Sequence, residues 1–328
     1  MKIVIPNKLD LLACSVSETD AVDGAVWSAS ATYGQGAIVR YNHVKYESIE
    51  GNNKGNRPDQ AWSGVSAKWK KTEATLPWMM LDDFVETQTK GPVGQKLTFT
   101  VPFVHADCFA MLNLNGITAK ITLIDQDADP SILHDIGDFS LYEYNYSPLV
   151  TSDILHDREY SLMEDIFHHS LFEYNYFPIQ KRSDLVLTGL PSPARGLLKA
   201  EIETLADESA AVGHIIVGRA QNPGWTEYGA EIGLTDYSRK IVDEFGVTTL
   251  VRRSFASHGS FPIYLHPNQM DYVARILQSV RGTPCLWLGD NDEPGHQCLN
   301  IYGWMEDFRM VCEGPNNIDL SIEVQGLI

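Results

Sequence analysis

Positive charge is scarce in this chain. Lys and Arg together number 25 of 328 residues against 43 Asp and Glu, for a formal net charge of −18. Nucleic-acid backbones are bound mainly through lysine and arginine, so a nucleic-acid partner is not expected. Adhesion to anionic lipid by charge attraction is disfavoured for the same reason. Cysteine is scarce too. The five residues at 14, 108, 285, 298 and 312 are odd in number and form no CxxC, which argues against a zinc ribbon or a redox-active dithiol. They read as mostly buried free thiols of a protein made in a reducing cytoplasm. No run approaches the ~20 apolar residues of a membrane helix, so a soluble protein without membrane insertion is expected. Leu11-Leu12-Ala13-Cys14 has the outline of a lipoprotein cleavage box, but Pro6, Asn7, Lys8 and Asp10 interrupt the apolar stretch such a signal needs.

The short motifs that carry enzyme chemistry are also missing. There is no GxSxG, no GxGxxG after a strand, no P-loop and no HExxH, so no catalytic residue and no cofactor is assigned. Asp125-Gln126-Asp127-Ala128-Asp129 opens like a calcium loop, but Pro130 stands at the sixth position and Ile136 at the twelfth. Asp290-Asn291-Asp292-Glu293-Pro294-Gly295 has the glycine but reaches Ile301 where the bidentate glutamate belongs. Both read as acidic turns. His156, Asp157, Glu164, Asp165, His168 and His169 cluster without a recognised ligand spacing, so no metal site is assigned either.

What remains is the composition of a globular protein, 44% hydrophobic and 21% charged, with length enough for two or three compact domains. The pattern is mainly β. Ile3–Ile5 reads as a short strand, and Ser17–Gly24 as a polar linker. Leu97–Val101, Phe109–Leu114, Ala119–Ile124, Leu185–Thr188, Leu197–Ile202 and His214–Val217 are apolar or alternating runs separated by Gly, Pro, Asn or Asp. Many short strands at this spacing predict an antiparallel β-sandwich, jelly-roll-like in its preferred version, over residues 75–220. Ala230, Ile232 and Leu234 alternate with Glu231, Gly233 and Thr235, the period of a half-buried strand. The Asp243-Glu244-Phe245-Gly246 turn would return it as a ribbon through Val247–Phe255. Met270, Val273, Ile276, Leu277 and Val280 share one helical face, predicting a helix over Asn268–Val280 capped by Asn268 and ended at Gly282. Strands at Cys285–Leu288, Leu299–Trp304, Asp307–Cys312 and Asp319–Gln325 complete a C-terminal α+β unit, residues 221–328, with one helix on an antiparallel sheet.

Two local features stand out. Residues 1–74 hold a small aromatic-rich β module in which Trp27, Tyr33, Tyr41, Tyr46, Trp62 and Trp69 lie between short strands and Gly/Asn turns. Two uses of these rings are open. A module under 50 residues needs large side chains to build a core, and sugar rings stack their C–H faces on exposed aromatics. The second feature is a duplication. Residues 133–149 return as 163–179, with Asp135-Ile136, Ser140-Leu141, Glu143-Tyr144-Asn145-Tyr146 and Pro148 each recurring 30 positions later. Two copies are too few for a solenoid. A tandem insertion at a sandwich edge is one reading. A doubled contact surface through Tyr144, Tyr146, Tyr174 and Tyr176 is the other, tyrosine being common at interfaces.

The words VGHIIVGRA, EYGAEIGLTDYSRKIVDEFGVTTLVRRSF and RGTPCLWLG resemble a family of bacteriophage tail and virion structural proteins, over most of residues 25–328. The aromatic-Met-aromatic-Asp word usual in that family is Trp78-Met79-Met80-Leu81-Asp82-Asp83 here, a departure that leaves the first sandwich strand undefined. The layout Trp, Tyr-x-x-Gly, valine strand, Val-x-Tyr, Pro and Trp within Ala25–Lys71 is similar to the family 5 and 12 chitin- and cellulose-binding modules. The first resemblance implies a non-catalytic protein of the virion tail, assembled in the bacterial cytoplasm with other tail proteins as a homo-oligomer. The second implies a host-surface glycan as partner, with Trp27, Tyr33, Tyr46 and Trp62 as the rings in contact. The alternative is a carbohydrate-binding accessory protein or a component of a polysaccharide-active enzyme.

Overall fold

A computed structural model describes residues 1–17, 24–60, 67–82, 87–126, 133–140, 142–144, 179–181, 183–242, 245–246, 248–290, 297–312, 314 and 318–327. Strand accounts for 55% of the chain and helix for 9%, so the protein is mainly β and sandwich-like, with a curled antiparallel sheet and, among the described residues, one short α-helix. Every strand expected between Leu97 and Val217 is present, the longest as Thr118–Asp125, Gly196–Glu203 and His214–Gln221. Among the described residues no helix is long and apolar enough to cross a membrane.

The largest sheet has ten strands. Along its main path the order is Leu185–Thr188, Cys108–Leu112, His214–Gln221, Lys2–Pro6, Cys285–Leu288, Asn300–Cys312, Ile318–Gly326, Phe255–Leu265 and Trp225–Thr226, with Glu231–Asp236 also on the last long strand. Its members come from all three expected segments of the chain. Residues 2–6, expected as a lead into the N-terminal module, pair antiparallel with His214–Gln221 on one side and Cys285–Leu288 on the other. They are the seam between sandwich and C-terminal unit. The alternation of the strand explains how it serves both. Ile3, opposite Trp287, joins the C-terminal core, while Val4, opposite Leu286, points through the sheet into a cluster with Cys108, Ala110 and Ile216.

One face of this sheet is covered twice. At one end lies a five-stranded antiparallel sheet ordered Leu133–Ser140, Thr118–Asp125, Gly196–Glu203, Leu97–Phe103 and Ser15–Val16. Phe99, Val101, Ile121, Leu123, Leu198 and Ile202 interdigitate there with Phe109, Met111, Ile215 and Val217, which is the sandwich core. At the other end lies the helix Met270–Ser279, preceded by a 3-10 turn at Pro267–Gln269. It buries Val273 and Leu277 against Phe261, Ile263, Trp287 and Ile322, each contributing at most about 1.5–3 kcal/mol. The cap differs from expectation. Asn268 sits inside the 3-10 turn and Gln269 takes the N-cap place with no side-chain cap bond. Gly282, at φ +68°, ends the segment in the left-handed region open to glycine. The two strands expected at 299–304 and 307–312 are one, Asn300–Cys312, interrupted by a register shift between Met305 and Asp307.

The opposite face curls. His214 and Tyr302 stand on strands three places apart, roughly 14 Å in a flat sheet, yet their rings pack with centroids 4.8 Å apart. Val4, Ala110, Ile216, Leu286 and Leu288 fill the hollow this produces.

The aromatic module forms its own small sheet, Ala25–Val26, Ile38–Tyr41, Val44–Ser48 and Trp69–Ala74, with Thr32–Tyr33 and Asn53–Lys54 as a second ladder. Asn42 and His43 both have positive φ, 50° and 63°, as a two-residue hairpin turn requires. The module is fixed to the sandwich through that turn. The His43 and Trp78 rings stack 3.9 Å apart at 6°, and Trp78 Nε1 donates to the Leu11 carbonyl at 3.0 Å.

Candidate functional site

The two open uses of the module's rings divide residue by residue. Trp69 is 1% exposed and Tyr46 6%; with Val39 and Val44 they form the core. Trp69 Nε1 donates to the Asn56 carbonyl at 2.9 Å, so its polar atom is satisfied inside. Burial pushes the Tyr46 phenol up from its ordinary value, with Asp59 and Tyr41 adding to the effect. The expectation that Tyr46 contacts sugar therefore fails. It lies in the middle of a strand whose alternate residues all point inward, and a core this small claims the ring. Trp62 lies outside the described residues.

Trp27 and Tyr33 are half-buried, packed on that core from outside. The Trp27 ring meets Tyr41 edge to face, centroids 5.4 Å apart at 83°. Its indole Nε1 is buried and finds no hydrogen-bond partner among the described residues, an unusual state for a buried tryptophan. Tyr33 has its hydroxyl engaged locally, accepting from the Ser28 backbone N–H at 2.7 Å. Sequence reasoning passed over the polar part of this surface. The Arg57 guanidinium lies 5.6 Å from the Tyr41 ring centre, and its Nε and Nη2 donate to the two Asp59 carboxylate oxygens at 3.1 and 2.6 Å. Half-buried rings beside a fixed Arg–Asp pair offer what a sugar requires, an apolar plane and directional donors and acceptors. Asn56-Arg57-Pro58-Asp59 reads in the sequence only as a turn after the strand Asn53–Lys54, and nothing local singles it out.

A second candidate surface lies at the ribbon. The ladder that begins with Glu231–Asp236 against Phe255–Ser260 continues through Tyr237 N–H to the Ser254 carbonyl and Arg253 N–H to Ser238 Oγ. It then runs on as a two-stranded arm, Arg239–Val242 paired with Thr248–Val251. All eight residues of the arm strands are exposed. Ile232 and Leu234, expected on the buried face of a half-buried strand, are exposed as well, along with Trp225, Tyr228 and Phe255. The strand is present, but its burial runs opposite to the expected alternation, with Gly233 and Thr235 the partly covered positions. Among the described residues nothing covers this end of the sheet, a matter of tertiary placement that periodicity does not report.

Of the tyrosines expected at an interface, Tyr144 belongs to the short strand Tyr142–Tyr144, which pairs with Ile179–Lys181. Tyr146, Tyr174 and Tyr176 lie outside the described residues. The first copy of the duplication supplies the edge strand Leu133–Ser140 of the five-stranded sheet, and nearly all of the second copy lies outside them. So do residues 127–132, 291–296 and the histidine cluster from 156 to 169. Among the described residues no group of three or more His, Cys, Asp or Glu could hold a metal ion.

Neither a protein-family profile nor a curated protein matches the chain.

Proposed function

We propose that the chain is a non-catalytic structural protein of a bacteriophage tail, built into the particle through the ribbon and the C-terminal part of the ten-stranded sheet. The observation that carries the assembly part is the apolar stripe of Ile232, Leu234 and Phe255, which share one face of the ribbon and are all exposed. A contiguous surface of this kind marks a protein–protein contact. The resemblance of VGHIIVGRA and EYGAEIGLTDYSRKIVDEFGVTTLVRRSF to tail and virion proteins supplies the kind of particle, and neighbouring tail subunits are its partners. The aromatic module then serves as an outward-facing sugar contact through Trp27, Tyr33 and Tyr41, with Arg57 and Asp59 reading hydroxyls.

Mass spectrometry of purified particles, with electron microscopy of an antibody label directed to residues 25–71, tests this reading. Label at the distal end of the tail supports host-glycan contact, and label along the tube makes the module an assembly element. Absence of the protein from particles overturns the virion reading. The half-buried rings beside the Arg57–Asp59 pair would then favour a second one, a carbohydrate-binding accessory protein, which a polysaccharide-binding assay on the purified chain would register.

A further inference from the structure

We propose that the arm at residues 239–251 docks on a second copy of this chain, across the apolar stripe formed by Ile232, Leu234 and Phe255. The inference rests on the assembly reading and names the partner for its surface.

The stripe is defined by strand register. Ile232 is opposite Gly259, Leu234 opposite Ser257 and Asp236 opposite Phe255, so Ile232, Leu234 and Phe255 share a face. It is the face that carries Phe261, Ile263 and Leu265 further along the same strand, all fully buried in the C-terminal core. An added Cβ at Gly259 would meet Ile301 Cδ1 at 2.8 Å, which places the stripe side by side with that core. The helix covers the core, and the described residues leave the stripe exposed. It is a continuation of a hydrophobic core, waiting for a layer.

The arm has the shape and chemistry of that layer. Its paired strands reach about 20 Å beyond Asp236, and a lone two-stranded hairpin is marginal in water. Ile241 and Val251 lie on one face, Val242 and Leu250 on the other, so both faces carry apolar side chains and neither is buried; Leu250 is 71% exposed.

Charge selects the occupant. Residues 239–253 read RKIVDEFGVTTLVRR, four cations against two carboxylates, in a chain whose net charge is −18. The receiving edge strand begins and ends with Glu231 and Asp236, both exposed. Two copies of so acidic a chain repel each other over most of their surfaces. The base of the arm, with Arg239, Lys240, Arg252 and Arg253, is where that repulsion is reversed, and it adjoins the stripe. A second copy supplies acidic strand and apolar stripe together.

The experiment uses the full-length chain, with light scattering after size exclusion over a range of concentrations. Wild type is expected to associate. An arm variant, Leu250→Glu, and a stripe variant, Leu234→Glu, are each expected to associate at least about thirtyfold more weakly, as for loss of a central apolar anchor. Both positions are exposed, and circular dichroism checks that each variant is folded; should either fail to fold, Ile241→Glu or Ile232→Glu replaces it. The deciding arm is the mixture. The arm variant retains its stripe and the stripe variant retains its arm, so mixing them is expected to restore a 1:1 complex. A monomeric wild type, variants that associate like wild type, or a mixture that stays monomeric overturns the proposal. The virion reading fails on a different result, absence from particles, so the two can fall separately.

Discussion

Tyr33 and Trp69 meet edge to face, ring centroids 5.3 Å apart at 67°, and the contact divides the module between its two uses. Trp69 is inside and fixed by Asn56, whereas Tyr33 packs on it from the solvent side. Trp69→Ala is therefore expected to cost about 3–5 kcal/mol, the usual range for a buried aromatic, and in so small a module that amounts to local unfolding. Tyr33→Ala, which removes a half-buried ring, is expected to cost distinctly less. Urea denaturation followed by tryptophan fluorescence compares the two, and equal losses would place Tyr33 in the core.

The stack of His43 on Trp78 makes the join between module and sandwich sensitive to acid. Burial, with the nearby Arg40 charge, lowers the His43 pKa from its ordinary value near 6.5. A histidine whose folded pKa is depressed binds its proton more readily when unfolded, so the unfolded state carries more protons in that window. Stability then falls as pH drops from about 6.5 towards the depressed folded value, and levels off below it. NMR titration of the His43 ring is expected to give a midpoint below that of a free histidine. His43→Phe, which keeps a ring on Trp78, is expected to flatten the pH dependence of module unfolding. A midpoint at or above 6.5 would contradict the assignment.

Much of this architecture was legible because strand periodicity and turn chemistry are local. The six sandwich strands, the helix and the last strand at Ile318–Gly326 follow from alternation, from the spacing of Val273, Leu277 and Val280, and from Gly282. The placement of residues 2–6 was not legible. The apolar run Ile3–Ile5 states that it is a strand but not which partners it has, and its neighbours lie more than 200 residues away. The module's rings show the same limit. Tyr33 and Tyr46 are alike in sequence, and only the tertiary position puts one half outside and the other within. Arg57 and Asp59 are a surface pair in a turn, a pattern too common in loops to single out without the Tyr41 ring beside it.

The five cysteines are expected to divide sharply in reactivity. Cys14, Cys108 and Cys285 are buried, Cys298 and Cys312 exposed, and all five are free. Burial pushes the Cys14 thiol up to about 11 and those of Cys108 and Cys285 up to about 12, so little of the reactive thiolate forms near neutral pH. Brief iodoacetamide treatment of the native protein at pH 8, followed by peptide mass spectrometry, should label Cys298 and Cys312 alone. All five should label in denaturant. Native labelling of Cys108 or Cys285 would show that the ten-stranded sheet opens between Cys108–Leu112 and its neighbours or at Cys285–Leu288.

The seam at residues 2–6 predicts how the protein unfolds. Val4 and Ile3 belong to clusters on opposite faces of the sheet, and their strand supplies backbone hydrogen bonds to both the sandwich side and the C-terminal side. Trp287, fully buried with Nε1 donating to the Gly303 carbonyl at 3.0 Å, packs directly beside it. Separate domains melt separately, but a sheet continuous across both halves couples them. Differential scanning calorimetry is expected to show one transition for the sandwich and C-terminal parts together. Trp287→Ala, at a cost of about 3–5 kcal/mol, is expected to lower that whole transition, the burial of Phe99 and Phe109 in the distant sandwich core included. Were Trp287→Ala to split the trace, leaving a sandwich transition at its original temperature, the seam would be a contact between independent domains and not the middle of one sheet.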